Sequence, residues 1–376
     1  MKIVGIIEYN MKRDDSWNGE AIRTKKCGGS GTDQSFVLVA EYLAKYGHEV
    51  FLSYNNIIAN SEYNNVKYIS EQTLRGISET VDIIIIASWN YEFINFNWKS
   101  LKTLVIWCHY QGFIDFKLTS LFKYIYPNVK IYINILSEFV RKYLDKYNQY
   151  YKEISDKIIK IDNPLMLDLY SDTIMEKQKH MFIFFATFER GGEIAMNAFN
   201  RLNYTEKQMF YSNHTEYEIN NFPGNNIDLI PLKWSDKQTI FNLLKRSEYF
   251  IYPLVLPVYR GNLVHKDTDG CVVAEALLHE VIVLTYPVGA LREKYTDHVI
   301  YLPYPPGANI EIIEGVDQCS APEFYSEFVI ESIIKTIDFL EQNPQMKELI
   351  KKRGKKYILS KRNEEVIKEQ WGQILV

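Results

Sequence analysis

Runs of apolar residues, each about as long as a buried β-strand, recur along this chain with helical stretches between them. They fall at residues 3–7, 50–53, 83–87, 104–107 and 130–135, and again at 181–186, 209–212, 227–232, 249–252, 281–284 and 299–302. A strand that is apolar at successive positions, not at every second one, has protein against both of its faces. Helices must then cover both sides of each sheet, and the strands run parallel with a helix in the crossovers. Two sets of five or six strands predict two doubly wound α/β domains. A proline and a charged segment, from Ile161-Asp162-Asn163-Pro164 through His180, separate the sets. The expected domains are residues 1–165 and 175–335. The last stretch, 331–375, has helical periodicity and no strand signal.

At 376 residues, 47% hydrophobic and 14% aromatic, the chain holds enough apolar material for two cores. Its net charge of −4 gives no bulk attraction to nucleic acid. The half before residue 165 is slightly basic and the rest acidic, which allows a peripheral membrane contact without arguing for one. The opening run, Met1-Lys2-Ile3-Val4-Gly5-Ile6-Ile7, is too short for a signal peptide, and the run at 83–87 is far below the length of a membrane span. Cys27, Cys108, Cys271 and Cys319 are isolated, with no zinc spacing among them. A reduced, cytoplasmic protein is expected.

The chemistry concentrates in His265-Lys266-Asp267-Thr268-Asp269-Gly270-Cys271-Val272-Val273-Ala274-Glu275-Ala276-Leu277. This pattern places a carboxylate in a loop, a glycine at a helix start and a second carboxylate about one turn inside the helix. The N–H groups at a helix start favour a phosphate. Acids around that end would repel phosphate alone. They make sense if one holds sugar hydroxyls and the other a ribose, as at a nucleotide-sugar site. An apolar strand then leads to Pro287-Val288-Gly289-Ala290.

The stretch resembles the signature of the retaining GT-B glycosyltransferases of family four. That signature is Glu, seven residues, Glu, with Phe-Gly soon after the first Glu and a strand and Gly-Gly loop following. Here Asp267, seven residues and Glu275 stand in that pattern, with Gly270 in the glycine place. Asp267 replaces the first Glu, and Asp269 the Phe. The resemblance implies two Rossmann-like domains facing across a cleft, the first on the acceptor side and the second binding the nucleotide sugar. It also implies that the terminal helices, residues 336–376, pack back towards the first domain. The first set of strands fits as well. Cys27-Gly28-Gly29-Ser30-Gly31 precedes a helix that ends in Gly47-His48-Glu49-Val50, and Gly29 and Gly31 are the candidates to face the donor. The segment between Ile7 and Gly28 is long for the family. Ser137 is a good N-cap with Glu138 in the first turn, and Asn163-Pro164 resembles the turn into the linker; both readings are structural.

His109 follows a strand, where ligands bind in parallel sheets, and matches the family histidine that contacts the donor sugar. In Phe188-Glu189-Arg190-Gly191-Gly192, Arg190 fits the position of a lysine that binds the diphosphate, and arginine grips phosphate well. The family's other cation is missing, because Ala186-Thr187 stand where Gly-Arg is expected. Lys266, Arg260 or Lys294 would have to compensate. Trp234 and Ser235 fall where the family contacts the base.

The resemblance implies transfer of a sugar from a UDP- or GDP-type donor to a sugar, lipid or protein acceptor, with retention and without metal or other cofactor. Arg190 and the amides of Gly270, Cys271 and Val272 would stabilise the departing diphosphate. Asp267 and His109 would hold sugar hydroxyls, and Glu275 the ribose. Asp267-Thr268-Asp269 is also an Asp-x-Asp, a metal motif of another glycosyltransferase fold, but it precedes a helix in the second of two domains. A GT-B nucleotide-sugar epimerase and a non-catalytic nucleotide-sugar scaffold remain alternatives.

Overall fold

The computed structural model describes residues 1–7, 17–24, 31–54, 57, 59–87, 92–109, 114–148, 150–170, 176–213, 229–233, 236–255, 266–316 and 325–375. The chain forms two compact domains, Met1–Met166 with Arg362–Val376, and Leu167–Lys361.

The first domain is built on eight strands: β1 (Lys2–Ile7), β2 (Glu49–Tyr54), β3 (Ser61–Tyr63), β4 (Val66–Ile69), β5 (Ile83–Ala87), β6 (Thr103–Cys108), β7 (Lys130–Ile135) and β8 (Lys157–Lys160). Their order in the sheet is β3-β4-β2-β1-β5-β6-β7-β8. Every pair is parallel except β3 with β4. That hairpin turns through Asn64 and Asn65, with φ of 49° and 60°, the left-handed pair a two-residue hairpin needs. All five residues of β5 are buried, as a central strand of a covered parallel sheet requires. Chain order reverses between β1 and β5, so the carboxyl ends of those strands mark the switch point where such sheets bind ligands.

The long segment after β1 contains a helix, Gly19–Thr24, locked onto the helix Gly31–Lys45. Arg23 donates to both oxygens of Glu41, at 3.0 and 2.8 Å, and this pair is buried. At the other end of the domain Ser137 caps the helix Glu138–Tyr147, its hydroxyl accepting from Val140 N.

The second domain carries β9 (Met181–Phe184), β10 (Gln208–Asn213), β11 (Leu229–Lys233), β12 (Tyr249–Tyr252), β13 (Ile282–Thr285) and β14 (Ile300–Tyr301). Its six-stranded sheet is ordered β11-β10-β9-β12-β13-β14 and is parallel throughout. The switch point lies between β9 and β12.

The return of the chain to the first domain starts at Arg362, not at residue 336. Helices Tyr325–Glu341 and Pro344–Lys361 belong to the second domain. Gly354 lies so close to Leu277 that an added Cβ would stand 2.7 Å from Leu277 Cδ2, and Lys347 bonds Glu248 at 3.1 Å. Only helix Glu364–Gly372 and its flanks join the first domain, where Trp371 packs edge-on against Trp107 with ring centroids 4.9 Å apart. Among the described residues no helix is long and apolar enough to cross a membrane.

Candidate functional site

Two glycine-started helices flank the switch strands of the second domain. After β9, a short helical turn (Phe188–Arg190) leads to Gly191, at φ 102°, and the helix Gly192–Arg201. Gly191 lies against Pro253 at the end of β12, where an added Cβ would meet the ring at 2.6 Å. Leu254, itself at φ 58°, donates its N–H to Arg190 O at 3.0 Å. The main chain of Arg190 is thereby tied to the carboxyl end of β12.

The second start is Gly270, at φ 70°, before helix Cys271–Leu278. Among the described residues no side chain caps this helix, and no acid lies in its first turn. Protein helices usually close this end with a Ser, Asp or Asn side chain. Here Cys271 and Val272 are partly open to solvent at an amide end of positive character.

Asp267 sits just before that start and is nearly fully buried. Its Oδ1 accepts from the N–H of Asp269 at 3.1 Å and of Gly270 at 2.7 Å. Its Oδ2 accepts from Arg190 Nη1 at 2.9 Å and from the Tyr252 hydroxyl at 2.8 Å. Arg190 Nη1 also donates to the Tyr252 oxygen at 2.8 Å, closing a triangle. Burial pushes the Tyr252 phenol well above its ordinary range, so the hydroxyl stays protonated and donates to the carboxylate. A carboxylate has about four acceptor positions, and all are filled by protein groups. The sugar-hydroxyl role expected of Asp267 is therefore not what this arrangement offers.

The expected substitutes for the missing cation are also engaged. Lys266 donates to Gly315 O at 2.5 Å, and Lys294 forms a buried ion pair with Asp269. The carboxylates of Asp267 and Asp269 thus turn to different protein cations, Arg190 and Lys294, and do not converge as an Asp-x-Asp metal pair would. Arg260 lies outside the described residues, as do Gly29, Trp234 and Ser235.

Glu275 lies inside the same helix and is 3% exposed. Lys237, at the start of helix Lys237–Arg246, donates to its Oε1 at 2.5 Å. Its Oε2 is buried with no hydrogen-bond partner among the described residues. Sequence reasoning missed Lys237 and Tyr252. Neither stands in a motif, and only the fold brings Lys237 next to a residue 38 positions on.

In the first domain His109 directly follows β6 and is 7% exposed, with its ring centroid 4.4 Å from that of Trp107 and 5.8 Å from that of Phe36. Gly31 is the first residue of the helix carrying Phe36.

No protein-family model matches this sequence, and no curated protein matches it. Solved structures do. Sucrose-phosphate synthase from Thermosynechococcus elongatus is similar over 100% of this chain and 98% of its own, at 13% identity and a TM-score of 0.63. A glycosyltransferase from Rickettsia africae ESF-5 covers the same shares at 12% identity and a TM-score of 0.64. Anabaena HepE, solved in complex with UDP-glucose, covers 100% and 99% at 10% identity and a TM-score of 0.63. The likeness runs through both parallel-sheet domains, and the fold is GT-B.

Proposed function

We propose that this chain is a glycosyltransferase that moves a sugar from a nucleoside diphosphate sugar to an acceptor hydroxyl on a sugar, lipid or protein, with retention and without a metal ion. The single observation that carries the reading is Glu275. An unpartnered buried carboxylate oxygen costs on the order of 1–3 kcal/mol or more. Its neighbour oxygen is fixed by Lys237, and it lies one turn inside a helix whose amide end has no side-chain cap among the described residues. A ribose hydroxyl on Glu275, with the diphosphate at the start of the helix, satisfies both features.

Supporting this reading, the Arg190 side chain reaches solvent at the carboxyl edge of the sheet, 34% exposed. It would meet the charge that grows as the bond between the anomeric carbon and the phosphate oxygen breaks. The acids beside it, Asp267 and Asp269, are held by cations and are poor candidates for a base or nucleophile. The departing phosphate then takes the acceptor proton on the face it leaves, the new bond forms on that face, and the configuration is kept. Metal independence draws support from the same two carboxylates, which do not converge. His109 is assigned a sugar hydroxyl on the family resemblance and its place at the end of a parallel strand.

The test begins with melting temperature in the presence of UDP-, GDP- and ADP-sugars, since a ligand that binds the native state raises it. At least one class should do so. Glu275→Ala should weaken that binding by roughly 10-fold or more. Arg190→Ala should lower turnover on the order of 100-fold, since its contact strengthens as charge develops. The reading fails if no nucleotide sugar raises the melting temperature.

A further inference from the structure

We propose that Asp267 and Tyr252 are positioning residues, which hold the Arg190 guanidinium ready for the diphosphate of the donor. This rests on the nucleotide-sugar reading above and gives Asp267 a different task from the one its sequence pattern implies. An arginine one-third exposed samples many rotamers, and fixing it on binding costs up to about 2 kcal/mol. Here both hydrogens of Nη1 are used within the protein, on Tyr252 and Asp267. Because the guanidinium is planar, these two bonds fix the plane of the whole group before any ligand arrives.

The three residues come from three elements: the turn after β9, the end of β12 and the loop before the helix. Each is itself restrained. Tyr252 is fully buried, Arg190 O is tied to Leu254 N, and Asp267 O accepts from Ala290 N at 2.7 Å. The same geometry accounts for aspartate where the family pattern has glutamate. Asp267 Oδ1 must reach the N–H groups two and three residues ahead, a turn that a short side chain makes and one with an extra methylene does not. Asp267 then both closes the loop at the helix start and orients the cation. Its charge is balanced by Arg190, so it does not repel a phosphate at Gly270.

The experiment measures affinity for a nucleoside diphosphate against its monophosphate, using whichever of UDP, GDP and ADP binds the full-length protein best. The ratio isolates the contact to the terminal phosphate and needs no acceptor. Arg190→Ala should reduce the diphosphate preference about 10-fold. Tyr252→Phe should reduce it several-fold, and so should Asp267→Asn. The asparagine oxygen can still serve the loop amides while its NH2 group faces Arg190 and releases it. In an Arg190→Ala background neither change should reduce the preference further, which a merely structural role would not predict. If Arg190→Ala collapses the preference while Tyr252→Phe and Asp267→Asn leave it intact, or if the losses add in the double variants, positioning is wrong and the nucleotide-sugar reading stands. If the unaltered protein binds none of the three nucleotides, that reading falls and this proposal with it.

Discussion

At the scale of single residues, two glycines shape the candidate site and differ in what they touch. Gly289, at φ 60°, lies against the main chain of Asp267, and a Cβ there would stand 2.2 Å from the Asp267 carbonyl oxygen. Gly270, at φ 70°, faces side chains, with Leu291 Cδ2 at 2.6 Å and Tyr295 Cε2 at 2.8 Å from such an atom. Either alanine would lose about 1–2 kcal/mol for its left-handed backbone. Side chains can yield to the new methyl at position 270. At 289 the peptide of Asp267 has to move, taking the carboxylate with it. Gly289→Ala should therefore be the less stable variant in urea unfolding, and the only one of the two to lose diphosphate preference through Arg190. Equal losses would show that the contact with Asp267 carries no weight. The sequence marks both glycines and both acids of the motif, because turn residues and carboxylates at fixed spacing are local signals. It cannot show that Asp267 is saturated, since two of its four bonds come from residues 77 and 15 positions away.

Among the elements, helix Cys271–Leu278 carries its own pH limit. His279 closes the helix, 4% exposed, with its ring between Tyr170 and Phe241. Its Nδ1–H donates to Glu275 O at 2.8 Å, and Lys177 Nζ donates to its carbonyl at 2.6 Å. Burial lowers the imidazole to about 4, with Lys177, Lys245 and Lys237 adding to the effect and the bond to Glu275 O opposing it. An unfolded chain takes up a proton here below pH 6.5, and the folded one does not until about 4. Stability is complete above 6.5 and falls between 6.5 and 4, by up to about 3 kcal/mol. His279→Gln keeps an amide donor near Glu275 O and should flatten that part of the profile. Urea titrations from pH 7 to 4.5 compare the two slopes, and identical slopes would dismiss His279 as the cause. The strands show where such local reading works. The runs at 3–7, 83–87, 104–107, 249–252 and 281–284 appear as buried parallel strands, because burial on both faces forces the run. The hairpin β3–β4 escaped because Ser61–Tyr63 is short, polar and half-exposed at the sheet edge. Its Asn64-Asn65 turn was the one available signal.

For the whole molecule, the boundary between domains in sequence is not the boundary in space. Periodicity shows that residues 331–375 are helical, but not which sheet each helix covers. That choice depends on contacts such as Gly354 with Leu277 and Trp371 with Trp107, which link residues tens to hundreds of positions apart. The short segment from Arg362 on therefore belongs to a core whose first strand is β1, Lys2–Ile7. Ile367, Trp371 and Ile374 are buried in the first domain, and Arg362 donates to Asn163 O at 3.3 Å. Truncating a buried tryptophan costs about 3–5 kcal/mol, a large share of the stability of one domain. Trp371→Ala should accordingly unfold the first domain at lower denaturant while leaving nucleotide affinity, a property assigned to the second domain, unchanged. Of the six tryptophans in the chain, all but Trp234 fall within the residues of the first domain, so intrinsic fluorescence follows its unfolding and nucleotide titration follows the other. A midpoint that does not move would mean that the terminal helix is an appendage. Loss of nucleotide affinity would mean that the two domains do not fold as separable units. The expected outcome, a lowered midpoint with affinity intact, requires that a tail contributed by the far end of the chain is part of the first domain's core.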